Sequence, residues 1–193
     1  MTIRVTIMEP KVNPTARLTG TAILAALVLV FDYTLKYSGL KIPFPWFPDL
    51  KFDFTGVPIA LSLLMYGLPS ATMTSMVAGL GILARSGNLI SALMKTAAEL
   101  STVVGFWLGH YLAGVSGVEG IKGKIAAYSG GLLCRVVVMS VANIIVLPNF
   151  WGVPLEVAYG LMPLIAGFNV AQGLISLGLG SYLFDAVEKR LPH

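Results

Sequence analysis

Five stretches of the chain carry no Asp, Glu, Lys or Arg and are dominated by apolar residues: Leu18–Phe31, Phe54–Ala84, Leu100–Val118, Val136–Leu155 and Val157–Phe184. A bilayer core of ~30 Å is crossed by about 20 apolar residues in helical form, so several of these runs are long enough to span. The pattern predicts an all-α integral membrane protein, a compact bundle of six transmembrane helices. The six are 15–37, 55–66, 69–84, 91–113, 123–147 and 154–189, the last kinked or begun late near Pro163. Two of them come from one run. Phe54–Ala84 as a single helix would measure about 46 Å, and Gly67 and Pro69 interrupt its middle. The segment between the first two helices, with Pro43, Pro45 and Pro48, cannot continue a helix and reads as an aromatic-rich loop, KIPFPWFPDLKFDF.

Charge placement tests that count. With six spans, Arg4, Lys11, Arg17, Lys122, Lys124, Lys189 and Arg190 fall on one side and Lys36, Lys41, Lys51 and Arg85 on the other. The richer side is cytoplasmic by the positive-inside rule, which puts the N and C termini in the cytoplasm and the protein in the cell membrane as a multi-pass chain. Residues 1–14 form a polar cytoplasmic tail without the character of a cleaved signal peptide, and 15–191 the membrane domain. Composition agrees: 56% of residues are hydrophobic and 11% charged, against ~25% charged in soluble domains. The net charge of +4 is spread along the chain, which fits membrane topology rather than nucleic-acid binding. The single cysteine, Cys134, and two distant histidines, His110 and His193, offer no metal set and no disulfide.

The polar residues inside the apolar runs hold the candidate chemistry, because an unpaired charge or amide is costly in lipid. Lys95 and Glu99 stand four apart on one helix face, and Arg135 lies mid-way along the fifth helix. They form either a structural ion pair ordering the bundle or the lining of a polar pocket. Asn143, and Asn169 with Gln172 at i and i+3, are either interhelical glue or the readers of a ligand rich in donors and acceptors. The loop rings Phe44, Trp46 and Phe47 are either an interfacial belt or a stacking surface for a flat ligand. Asp53 reads as a helix cap, shared with Thr55. On the first helix, Ala16/Gly20 and Ala22/Ala26 make small-residue faces, suited to close packing within the bundle or to docking a partner subunit. No phosphate-binding loop, HExxH or GxSxG motif occurs, so the expected role is that of a binder and not an enzyme, with no cofactor. A membrane enzyme acting on a lipid or isoprenoid, and a structural scaffold, are the readings from other classes.

The order of TAILAALVLV, the aromatic loop ending LKFDFTGVP, YGLPSATMTSMVAG, RVVVMSVANIIVLPNFWG and LMPLIAGFNVAQGLI resembles the substrate-binding S component of energy-coupling-factor vitamin transporters, in its riboflavin-specific branch. The resemblance covers Thr15 to Leu191. It implies high-affinity capture of riboflavin, or of another vitamin or precursor, for an ATP-driven importer. Its implied partners are the small-molecule vitamin, a transmembrane coupling subunit, two cytoplasmic ATPase subunits and membrane lipid. Asn143 matches the amide of an N-x-x-x-x-P motif. Lys51 to Asp53 match the end of the first loop, and Asn169 matches the amide of F-N-x-x-K, in which Gln172 replaces the lysine. The ligand-binding residues expected together are Phe44, Trp46, Phe47, Lys51, Lys95, Glu99, Asn143, Asn169 and Gln172, with Ala22 and Ala26 on the docking face.

Overall fold

Helix starts and stops follow local chemistry. In a computed structural model describing residues 13–118 and 120–190, and only the backbone of 47–49, α1 spans Pro14–Tyr37. Asn13 caps it by accepting from the Thr15 N–H at 3.0 Å, with Pro14 in the first turn, where no amide hydrogen is needed. The tail ahead of residue 13, with Arg4 and Lys11, lies outside the described residues, as does the end of the chain from Leu191. Helices α2 (Gly56–Tyr66) and α3 (Leu68–Ser86) meet at Gly67, whose φ of 84° is a conformation that side chains disfavour. Asn88 caps α4 (Leu89–Val115), accepting from Ser91 N–H at 2.9 Å. Helix α5 (Gly120–Trp151) runs past the expected end at Leu147 and through Pro148; α6 (Leu155–Glu188) continues through Pro163.

The segment read as a loop is a β-hairpin. Strands β1 (Ile42–Phe44) and β2 (Phe47–Phe52) pair antiparallel, Ile42 opposite Phe52 and Phe44 opposite Phe47. Prolines forbid helix here, but in a two-stranded ribbon each strand keeps one open edge on which a missing N–H costs no ladder bond. At its base, Lys41 reaches Asp32 of α1 at 2.7 Å, and Arg85 at the end of α3 reaches the same carboxylate at 3.0 Å.

Successive helices alternate in direction. Tyr66, ending α2, packs on Gly20 near the start of α1, whereas Arg85 and Gly81 of α3 lie against Asp32 and Leu29. The chain therefore runs away from the hairpin in α2 and back in α3. Gly105 and Gly109 of α4 face Gly130 and Ala126 of α5, and Gly131 and Tyr128 of α5 face Leu177 of α6, so those pairs are antiparallel too. The ends of the described chain consequently share the end of the bundle opposite the hairpin.

Among the described residues four helices, α1, α4, α5 and α6, are long and apolar enough to cross a membrane. Helix α2, with 11 residues, measures only about 16 Å and is almost wholly buried among its neighbours. The bundle is inverted relative to a soluble one. Leu18, Ile23, Val30, Leu80, Leu133, Val137 and Ile145 are exposed, while Ser62, Thr74, Glu99, Thr102, Arg135 and Gln172 are buried. An apolar surface of this extent fits a lipid environment.

Helices α4 and α5 form the most extensive pair. A side chain on Gly105 or Gly130 would strike the carbonyl of the other, so both stay bare for the backbones to approach. Gly130→Val should therefore cost about 1–3 kcal/mol or more, read as a loss of thermal stability in detergent, whereas Gly114→Ala, which meets open space, should stay within about 0.5 kcal/mol apart from propensity.

Candidate ligand pocket

The buried stripe of α5 repeats every fourth residue: Gly123, Ala127, Gly131, Arg135, Met139, Asn143 and Leu147. Its small half packs close to neighbouring helices, and its outer half opens on a cavity of about 240 Å³. Ser91, Met94, Lys95 and Ala98 come from α4, Phe168, Asn169 and Gln172 from α6, and Leu50, Lys51 and Asp53 from β2 and the turn after it; Trp151 ends the α5 wall. The cavity thus lies in the hairpin half of the bundle. It falls below the roughly 300–1,000 Å³ of common small-molecule pockets, which favours a small ligand.

A continuous chain of charge contacts forms one side. Lys95 Nζ lies 3.0 Å from both carboxylate oxygens of Asp53 and 2.8 Å from Glu99 Oε1. Arg135 Nη1 lies 3.5 Å from the same Glu99 oxygen and donates to Thr102 Oγ1 at 2.9 Å, while Arg135 Nε donates to Asn169 Oδ1 at 3.1 Å. Asn169 Nδ2 in turn donates to the Ile165 carbonyl at 2.8 Å. At 1% exposure Glu99 has no access to water, so its charge rests on these two cations. Burial pushes the Asp53 carboxyl up, but Lys95, the Thr55 hydroxyl and Lys41 outweigh it and hold it at about 2, so it is an anion throughout the neutral range.

Gln172 holds the backbone of Asp53 at two points. Asp53 N–H donates to Gln172 Oε1 at 3.2 Å, and Gln172 Nε2 donates to the Asp53 carbonyl at 2.8 Å. The amide copies a strand partner, fixing the end of the hairpin to α6 and aiming the Asp53 carboxylate at Lys95. Asp53 also accepts from the Thr55 N–H and hydroxyl, at 3.2 and 2.7 Å. Asn143 Nδ2 donates to the Met139 carbonyl at 2.7 Å, and among the described residues its Oδ1 accepts from none.

Of the residues expected from sequence, Lys51, Lys95, Asn143, Asn169 and Gln172 line one cavity. Glu99 lies beneath Lys95 and supports it from behind. Phe44 is buried in a ring cluster with Phe52 and Phe168, at centroid distances of 5.9 and 5.7 Å, and reaches the cavity wall only through Phe168. Trp46, at the hairpin tip, is 70% exposed and edge-on to Phe44. The Phe47 side chain lies outside the described residues. Ala22 and Ala26 are exposed on α1, whereas Gly20 is covered by Tyr66.

Sequence reasoning missed the apolar walls, Met94, Met139 and Phe168, and the membership of Asp53. Met139 was within reach: it sits midway between Arg135 and Asn143 on the four-residue ladder. No local signal marked Met94. Among the described residues no cluster of His, Cys, Asp and Glu could hold a metal ion.

No model of a known protein family matches the chain, and no curated protein does. Solved structures do. One, described as the structure and mechanism of the S component of a bacterial ECF transporter, aligns with a TM-score of 0.75 at 20% identity, covering 94% of this chain and 100% of that one. The chain shares the fold of that S component.

Removing one partner from a buried charge chain leaves the others unpaired. Lys95→Met should destabilise the fold by about 3–5 kcal/mol, measured as a lowered unfolding temperature or denaturant midpoint in detergent. An unchanged midpoint would mean that water reaches Asp53 and Glu99 freely.

Proposed function

We propose that this protein is the ligand-capturing S component of an energy-coupling-factor importer, embedded in the cell membrane through six helices with both termini cytoplasmic. The observation that carries the proposal is a cavity with one charge-paired wall and an apolar remainder, set between α4, α5, α6 and the hairpin end of a bundle that shares the S-component fold. A structural ion network needs no cavity, and here Lys51, Asn143 and Arg135 border one. The alternation of helix directions supports an even number of passages, with α2 and the hairpin filling one passage together. The seven basic residues assigned to the terminal side against four on the other support the orientation.

In this reading a small vitamin enters from the hairpin side, and its rings lie against Met94, Met139 and Phe168. Lys51, Arg135, Asn143 and Asn169 read its polar edge, while Lys95, Glu99 and Gln172 hold those readers in place. Riboflavin is the first ligand to test, because the sequence resembles the riboflavin branch; another vitamin or precursor of similar size is the alternative. The loaded protein joins a transmembrane coupling subunit and two cytoplasmic ATPase subunits, and toppling of the whole S component in the membrane delivers the ligand inward. ATP is consumed in the partners, so the chain is not itself an enzyme.

Two experiments test this. Purified protein should quench riboflavin fluorescence at submicromolar concentration, and Asn169→Leu, which also strips Arg135 of an acceptor, should weaken binding by about 1–3 kcal/mol, or roughly 5- to 150-fold. Full affinity in that variant would remove Asn169 from the site. Ala22→Trp or Ala26→Trp, on the exposed face of α1, should abolish uptake by cells carrying the partner subunits while leaving binding to the purified chain intact. Parallel loss of uptake and binding would assign that face to folding instead.

A further inference from the structure

Asp53, Lys95, Glu99 and Arg135 form a chain in which each lies within 3.5 Å of the next, and they alternate in sign. Their charges cancel. Both Asp53 oxygens are engaged by Lys95, and Glu99 does not line the cavity. No lining carboxylate among the described residues is therefore free to meet a ligand. Two kinds of lining group with capacity left bear on the charge of a ligand. Lys51 is exposed at the cavity with no described anionic partner, and Nη2 of Arg135 has no described acceptor; both are cationic donors. Asn143 Oδ1 is a neutral acceptor.

We propose that the cavity selects its ligand by charge: it takes a neutral or singly anionic flat ring that offers carbonyl or carboxylate oxygens to Lys51 and Arg135, with Asn143 Oδ1 left to accept an N–H where the ring carries one, and it rejects permanently cationic rings. The proposal rests on the capture reading above and narrows its substrate class. A cationic ring would surrender its hydration to a site whose one uncompensated charge, on Lys51, is positive and whose lining carboxylate, Asp53, is already paired with Lys95. Phe168 and Trp151 also line the cavity, but a cation–π contact is worth about 0.5–2 kcal/mol, less than the cost of stripping an ion of its water. An oxygen-bearing edge instead completes the donors that the charge chain leaves over. Lys51 is the specificity-determining residue. It lies on the strand side of the cavity, outside the Asp53–Lys95–Glu99–Arg135 chain, and can be changed without uncovering a buried charge.

The test is a calorimetric or fluorescence titration of the full chain in nanodiscs with three probes: riboflavin as a neutral ring with a lactam edge, nicotinate as a small aromatic anion, and thiamine as a permanent cation. Riboflavin or nicotinate should bind at least about 100-fold more tightly than thiamine. Lys51→Glu should narrow that ratio at least about tenfold at an unchanged unfolding temperature, with Lys51→Gln intermediate. Thiamine binding as tightly as the better of the other two, or a ratio unmoved by both Lys51 variants, overturns the charge rule and leaves the capture reading standing. Binding of none of the three, with no small molecule co-purifying, overturns both.

Discussion

An ionised side chain inside a bilayer-embedded bundle must find its counter-charge within the protein, and that requirement organises this molecule. Lys95 meets it by touching Asp53 and Glu99, and Glu99 passes the requirement on to Arg135, which ends on Asn169. The chain of contacts joins α4, α5, α6 and the turn after β2. None of these elements can shift far without stranding a charge in a medium that solvates it poorly. The same contacts set the electrostatics of the cavity they border.

Close packing at the opposite end complements this arrangement. Gly105, Gly109 and Gly130 let α4 and α5 approach until backbone meets backbone, and Gly123, Ala127 and Gly131 continue the small-residue half of the α5 ladder. The ladder then changes character at Arg135. From there on its side chains are long or polar and the helices stand apart enough to enclose a cavity. One helix thus grades from a packing surface into a cavity wall by changing which residue occupies every fourth position.

Much of the bundle was legible because lipid imposes long uncharged runs, and glycine and proline punctuate them. The reversal at Gly67 could be argued from a run too long for one span, and the structure contains it. The hairpin was not legible: three prolines announce the absence of helix, whereas an isolated two-stranded ribbon tolerates them and leaves little other trace. In the pocket the amides and charges could be picked out because buried polar groups are conspicuous in apolar sequence. The part each plays could not. Whether an amide such as Gln172 faces a ligand or a peptide group depends on where the hairpin end lands, 119 residues away in sequence. Met94 and Phe168 were invisible for the opposite reason, since an apolar wall looks like any other apolar residue in a membrane helix.

The hairpin is fastened at both ends, by Lys41 to Asp32 at its base and by the Asp53 peptide to Gln172 at its exit, and its Phe44 is seated against Phe168 in between. A cover tethered in this way loses its conformational freedom when the protein folds. The entropy of ordering about a dozen residues is then met in the folding equilibrium, so any molecule entering the cavity would meet a wall already in place.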